Sequence, residues 1–168
     1  AVESTERPVK IEMEILQGRP VQTLLEAARS AVMLCLGARG HKHSVTGKIG
    51  STAVALAAAA PCPVAVVRTH RPHCLPDRAV VIEITDNASA GVVLGRGLDE
   101  AQRRGAPVRV LTPARMYTDA KALWERRLGE WRRRYPDLDI SSVSNPGDTL
   151  DYLSAHGESL QLVVAGRG

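Results

Sequence analysis

Apolar and polar residues alternate one by one at the start of the chain: Val9, Ile11, Met13 and Ile15 are interleaved with Lys10, Glu12 and Glu14. Period-two alternation predicts a strand with one wet face over residues 9–16. Gln17-Gly-Arg-Pro20 then reads as a turn, and proline suits the first turn of a following helix. Val21, Leu24, Leu25 and Ala28 share one face of a predicted helix over 21–29. An apolar strand over 31–36 follows, then a glycine loop, an alanine-rich helix over 51–60, and the strand Val64-Ala-Val-Val-Arg68. Residues 69–78 carry two prolines and no apolar period, as a linker does.

The rhythm resumes beyond the linker. Strands are predicted over 79–85, 107–111, 140–144 and 160–165. Helices are predicted over 90–104, 119–135 and 149–156, with a turn at Asp86-Asn-Ala-Ser89 before the first and a stop at Gly105 after it. Strands alternating with helices imply a parallel sheet joined by right-handed crossovers. The fold class is therefore α/β, a twisted parallel sheet with helices on both faces, Rossmann-like in outline. Within 119–135, Leu123, Trp124, Leu128, Trp131 and Tyr135 recur at helical spacing and are expected in a core or interface. Arg126, Arg127, Arg132, Arg133 and Arg134 then coat the exterior. With no DNA- or RNA-reading motif beside them, they read as a solvated basic face, and nucleic acid is not an expected partner.

Composition narrows the core. Hydrophobic residues are 44% of the 168, but Phe is absent and aromatics are 3%, so the interior must be aliphatic. Aliphatic runs suit strands buried on both faces. Net charge is +4, which permits an anionic partner without requiring one. Cys35, Cys62 and Cys74 form no close pair and are odd in number, pointing to a reducing, cytoplasmic setting rather than a disulfide framework. The longest apolar stretch, residues 52–67, is short for a bilayer and broken by Pro61 and Pro63, and no secretory leader is read at the start, so no membrane association is expected. His70, His73 and Cys74 could offer metal ligands, but with no further ligand cluster in sequence they read as linker residues.

The candidate chemistry lies at residues 37–52, Gly37-Ala-Arg-Gly40-His-Lys-His-Ser-Val-Thr-Gly-Lys48-Ile-Gly50-Ser51-Thr52. Strand, glycine loop and helix start is the order in which backbone N–H groups can turn toward a phosphate. Arg39, Lys42 and Lys48 add positive charge, and the span holds no acid. The spacing G-x2-G-x9-G-[ST], followed by a helix and Pro61-Cys-Pro-Val64, resembles the universal stress protein family. In that family the fourth strand, this loop and the next helix bind the ribose and phosphates of ATP. The resemblance implies a sheet ordered 3-2-1-4-5, and pairing of the fifth strand, here Val64 to Arg68, with its counterpart in a second domain. That pairing would make a homodimer or an intrachain pseudo-dimer.

Without gaps, residues 18–40 lie over residues 146–168: Leu25 meets Leu153, Ala27 meets Ala155, Leu34 meets Leu162, and Arg39-Gly40 meets Arg167-Gly168. The expected organisation is two incomplete tandem copies. Residues 1–70 hold the C-terminal part of a first domain, 71–78 a linker, and 79–168 the N-terminal part of a second, as in a fragment of a longer tandem protein, the favoured reading, or in a permuted domain whose two parts complement each other. In the second copy Thr85 stands where the family's first strand ends in Asp, with Asp86 one step later, and Ala165 replaces the first motif glycine. Both departures count against nucleotide binding there.

By the resemblance, the nucleotide-binding residues are Gly37, Gly40, Lys48, Gly50, Ser51 and Thr52, the cofactor is ATP, with Mg a possible companion, and the role is a nucleotide sensor or binding module in stress response. His41 and His43 read as solvated loop residues. No general base is aimed at a water and no Ser-His-Asp or Cys-His arrangement is evident, so no catalysis is expected. The alternatives are an interaction module with an empty loop and a nucleotide hydrolase.

Overall fold

A computed structural model describes residues 10–38, 49–67, 77–85, 89–113, 118–145 and 149–166. The chain divides into two compact units, Ala1–His70 and Arg71–Gly168.

In the first unit, α1 (Pro20–Ala27) begins with Pro20 in its first turn, where the missing N–H costs nothing. The turn before it needs Gly18, whose φ of 136° an L side chain rarely adopts. Strand β1 (Leu34–Gly37) runs parallel to β2 (Val64–Val67), Leu34 opposite Val64 and Gly37 opposite Val67. Between them, α2 (Ser51–Ala59) buries Ala53 and Leu56. Ala28, Ala60 and Cys62 form a small core with Leu25, Ala31, Leu34 and Val64.

The described part of the strand predicted over 9–16, residues 10–16, forms no strand. Residues 10–16 run as irregular chain, and Ile11, Met13 and Ile15 are 67%, 92% and 88% exposed. A period-two pattern states which face a strand would bury; the strand itself forms only when a neighbour takes up its N–H and C=O groups. Among the described residues no strand pairs with this segment.

The second unit holds a four-stranded parallel sheet ordered β5-β4-β3-β6, from β3 (Ala79–Glu83), β4 (Val108–Pro113), β5 (Ile140–Asn145) and β6 (Leu160–Ala165). In order of appearance within this unit that is 3-2-1-4, the order the resemblance implies for its first four strands. Val80, Ile82, Val108 and Val110 point from the sheet into one core with Leu94 and Leu98 of α3 (Ala90–Arg104) and Leu128 of α4 (Thr118–Arg134). The third helix of this unit is α5 (Thr149–His156). Gly105 ends α3 in the left-handed conformation, φ 59°, as its glycine predicted. Gly97 lets α3 sit close on the sheet: a Cβ there would lie 2.5 Å from Ile82 Cδ1.

Helices α3 and α4 are tied where Tyr135, just past α4, donates its hydroxyl to Asp99 Oδ1 at 2.7 Å. That hydrogen bond, then burial, raises the Tyr135 pKa above its ordinary value near 10. A raised folded-state pKa means the contribution is complete below the unfolded value and is lost as pH climbs through the folded one. Tyr135→Phe is expected to cost about 1–3 kcal/mol near neutral pH, with the difference from the parent shrinking above about pH 10. Urea melts of both proteins across that range check it.

Candidate functional site

The loop's two ends are fixed by one small residue the sequence reading passed over. Ala38 is buried; its N–H donates to Val67 O at 2.8 Å, extending the β1–β2 ladder one step. Its carbonyl accepts the N–H of Gly50 at 2.9 Å. The chain therefore leaves β1 and re-enters at α2 from nearly the same point, the two joined by a main-chain hydrogen bond. Only its small size, between Gly37 and Arg39, hints at that role in sequence.

Gly50 is the N-cap of α2, with φ −66° and ψ 148°. Neither a left-handed conformation nor crowding by the described residues demands glycine there, since among them a Cβ would meet only Ala38 O at an ordinary 3.7 Å. Its amide is engaged by the Ala38 carbonyl. The first intrahelical bond of α2 runs from Val54 N–H to Gly50 O at 3.1 Å. The amides of Ser51, Thr52 and Ala53 thus fall in the helix's first turn, where no intrahelical carbonyl can reach them. Among the described residues no side chain caps this end, and no acid stands in the first turn. The positive pole of the helix dipole is left uncompensated by its own sequence.

Gly37 is exposed and within the ladder, opposite Val67. Ser51 is exposed and Thr52 half-buried, both on the first turn of α2. The structure thus brings Gly37, Gly50, Ser51 and Thr52 to one end of the first unit. Gly40 and Lys48 lie outside the described residues, as do Arg39, His41, Lys42, His43 and Arg68. So do His70, His73 and Cys74; among the described residues no group of three His, Cys, Asp or Glu side chains could hold a metal.

The second unit has its own point where the strand order reverses, between β3 and β6, and the carboxyl ends of strands at such a point are the usual ligand position in sheets of this kind. Its chemistry differs. Glu83 closes β3 and accepts a hydrogen bond from Thr149 Oγ1 at 2.6 Å, fixing a carboxylate at that edge. Thr85 is half-buried after the buried Ile84, and Asp86 lies outside the described residues. A Cβ on Gly166 would come within 3.2 Å of Val93 Cγ2.

Parallel β-sheets flanked by helices, with a helix opening at the carboxyl end of a strand, define an α/β protein. The sequence model of the universal stress protein family matches residues 1–68. A universal stress protein of Mycobacterium tuberculosis is 43% identical over 170 residues, covering 98% of this chain and 61% of its own length. Another from the same organism is 38% identical, covering 98% of this chain and 64% of its own length. The crystal structure of a universal stress protein from Archaeoglobus fulgidus superposes with a TM-score of 0.62 at 15% identity, over 83% of this chain and 50% of that one, a likeness of fold alone. The chain belongs to the universal stress protein family. It spans less than two thirds of the length of the curated relatives it matches. No described helix is long and apolar enough to cross a membrane.

Proposed function

We propose that the chain binds an adenine nucleotide, ATP with or without Mg, at the N-terminus of α2, and serves as a nucleotide sensor or binding module in the cytoplasmic stress response. One observation carries this reading: the Ala38–Gly50 hydrogen bond gathers the loop's ends beside a helix start with no acid and no side-chain cap. Such a start suits phosphate oxygens. In this reading the amides of Ser51, Thr52 and Ala53 and the hydroxyls of Ser51 and Thr52 receive the phosphates. Gly37 and Gly50 keep the approach clear of side chains, and Gly40 and Lys48 join them on motif spacing. The carboxylate of Glu83 supports a second, degenerate tandem copy that binds no phosphate. The outer edge of β2, unpaired among the described residues, is where a homodimer or pseudo-dimer would form.

Nucleotide binding would order the loop and shift a conformational or dimer equilibrium rather than lead to hydrolysis. Thermal melts with and without Mg-ATP test this. A binder gains about 2.7 kcal/mol when ligand stands about a hundredfold above its dissociation constant. An unchanged melt at millimolar nucleotide would favour an interaction module, and steady phosphate release a hydrolase.

A further inference from the structure

The arginines of α4, expected from sequence to be a solvated coat, are arranged more specifically than that. Arg127 lies over the Trp124 ring with its guanidinium carbon 5.6 Å from the centroid, and Arg134 repeats this over Trp131 at 5.4 Å. The repeat is seven residues, two helical turns, so the stacked cations stand about 10.5 Å apart along the axis. Trp131 is itself held: it stacks on Tyr135 at 6.0 Å, and Gly95 of α3 leaves it room, with a would-be Cβ 3.4 Å away. Arg126 and Arg133 form a second exposed pair at the same spacing.

Acids are within reach, yet the four are not neutralised by them. Glu125 pairs with Arg132, whose Nε also donates to Ile140 O. Glu130 lies one turn from each of the four arginines. Among the described residues no ion pair involves Arg126, Arg127, Arg133 or Arg134. A guanidinium held over a ring has less side-chain freedom left to lose, and with no described acid on its N–H fork the ordering cost of gripping an oxyanion falls.

We infer that this face binds the phosphodiester backbone of double-stranded nucleic acid, without regard to sequence. Both indoles are covered, Trp124 buried in the core and Trp131 between its neighbours, so no aromatic face is offered to a base. That leaves phosphate contacts, which position without specifying. Leu123 is the only exposed large hydrophobic among the described side chains of α4, too little apolar surface to seat the helix in a lipid interface. The net charge of +4 favours approach to a polyanion. This surface is independent of the glycine loop and of the nucleotide reading.

The experiment is anisotropy of a short labelled DNA duplex of arbitrary sequence, titrated with the full chain at several salt concentrations. Four phosphate contacts give a log–log salt slope of about −3.6, hence a loss of about 150-fold between about 50 and about 200 mM salt. Arg127→Gln with Arg134→Gln should roughly halve that slope, with the melting curve reporting that the fold is intact. Glu130→Gln, which removes the carboxylate among the four, should tighten binding, a gain that misfolding cannot imitate. Absence of binding at about 50 mM salt, a slope unchanged in the double variant, or Glu130→Gln failing to tighten would each overturn the assignment. Co-sedimentation with phosphatidylserine vesicles in the absence of DNA binding would overturn it as well.

Discussion

Gly50→Asp is expected to make the first unit more stable and a poorer nucleotide binder at once. Aspartate is among the best N-caps, and its carboxylate can accept the N–H of Thr52 or Ala53 while meeting the positive end of the α2 dipole. The backbone already has the extended geometry such a residue uses, and a Cβ fits without a clash. The gain is about 0.3–1 kcal/mol. The same carboxylate would occupy the amides assigned to phosphate and repel it. One pair of like charges about 4 Å apart costs about 1 kcal/mol in water and about 4 kcal/mol at an effective dielectric constant near 20, roughly a 5- to 1000-fold loss of affinity. Denaturant melts report the first effect and calorimetric titration with Mg-ATP the second. A variant that is stabilised yet binds ATP as well as the parent would remove α2 from the site. Gly50→Ser separates charge from competition, since it caps without adding charge.

The second large effect concerns the contact between α3 and the sheet. Gly97→Ala would ordinarily help a helix by about 1 kcal/mol, because glycine is the more costly residue in a helix interior. Here the added methyl would sit 2.5 Å from Cδ1 and 2.6 Å from Cγ1 of Ile82, which is fully buried and has no room to yield. Overpacking of this kind costs about 1–3 kcal/mol, so the net effect should be destabilising. On an Ile82→Ala background the obstacle is gone, and the same Gly97→Ala change should become stabilising by up to about 1 kcal/mol. Ile82→Ala alone should cost about 2–5 kcal/mol. Urea unfolding of the four proteins in this cycle measures the coupling; strictly additive costs would show that α3 does not rest on Ile82 as described.

The alternation of elements was legible because most apolar runs here are short, aliphatic and bounded by turn residues. Helices 90–104 and 149–156 and strand 160–165 fall where periodicity and Gly105 place them. The failure at residues 10–16 has a definite cause: Ile11, Met13 and Ile15 carry a strand's pattern, but pattern does not supply a pairing partner. Gly97 drew no notice because its need is tertiary, a close approach to a residue fifteen positions earlier in the chain. At the candidate site the helix start at Ser51 was legible from Gly-Ser-Thr ahead of an alanine run. The direction of Gly50's amide was not, since it depends on Ala38 lying next to it in space. The indole–guanidinium stacks were half visible: helical spacing put Trp124 and Trp131 inward, but which arginines lay over them depends on rotamers no periodicity encodes.

The Ala38–Gly50 hydrogen bond has a consequence for how such a protein can change over time. It joins the end of β1 to the start of α2 through main-chain atoms alone, and the small core of Ala28, Ala60 and Cys62 is built from residues outside the connection. Doubling the length of such a connection costs only about 0.6 kcal/mol in closure entropy. Under the proposed function, ligand preference can therefore drift between paralogues through substitutions between positions 38 and 50, with the scaffold inherited intact.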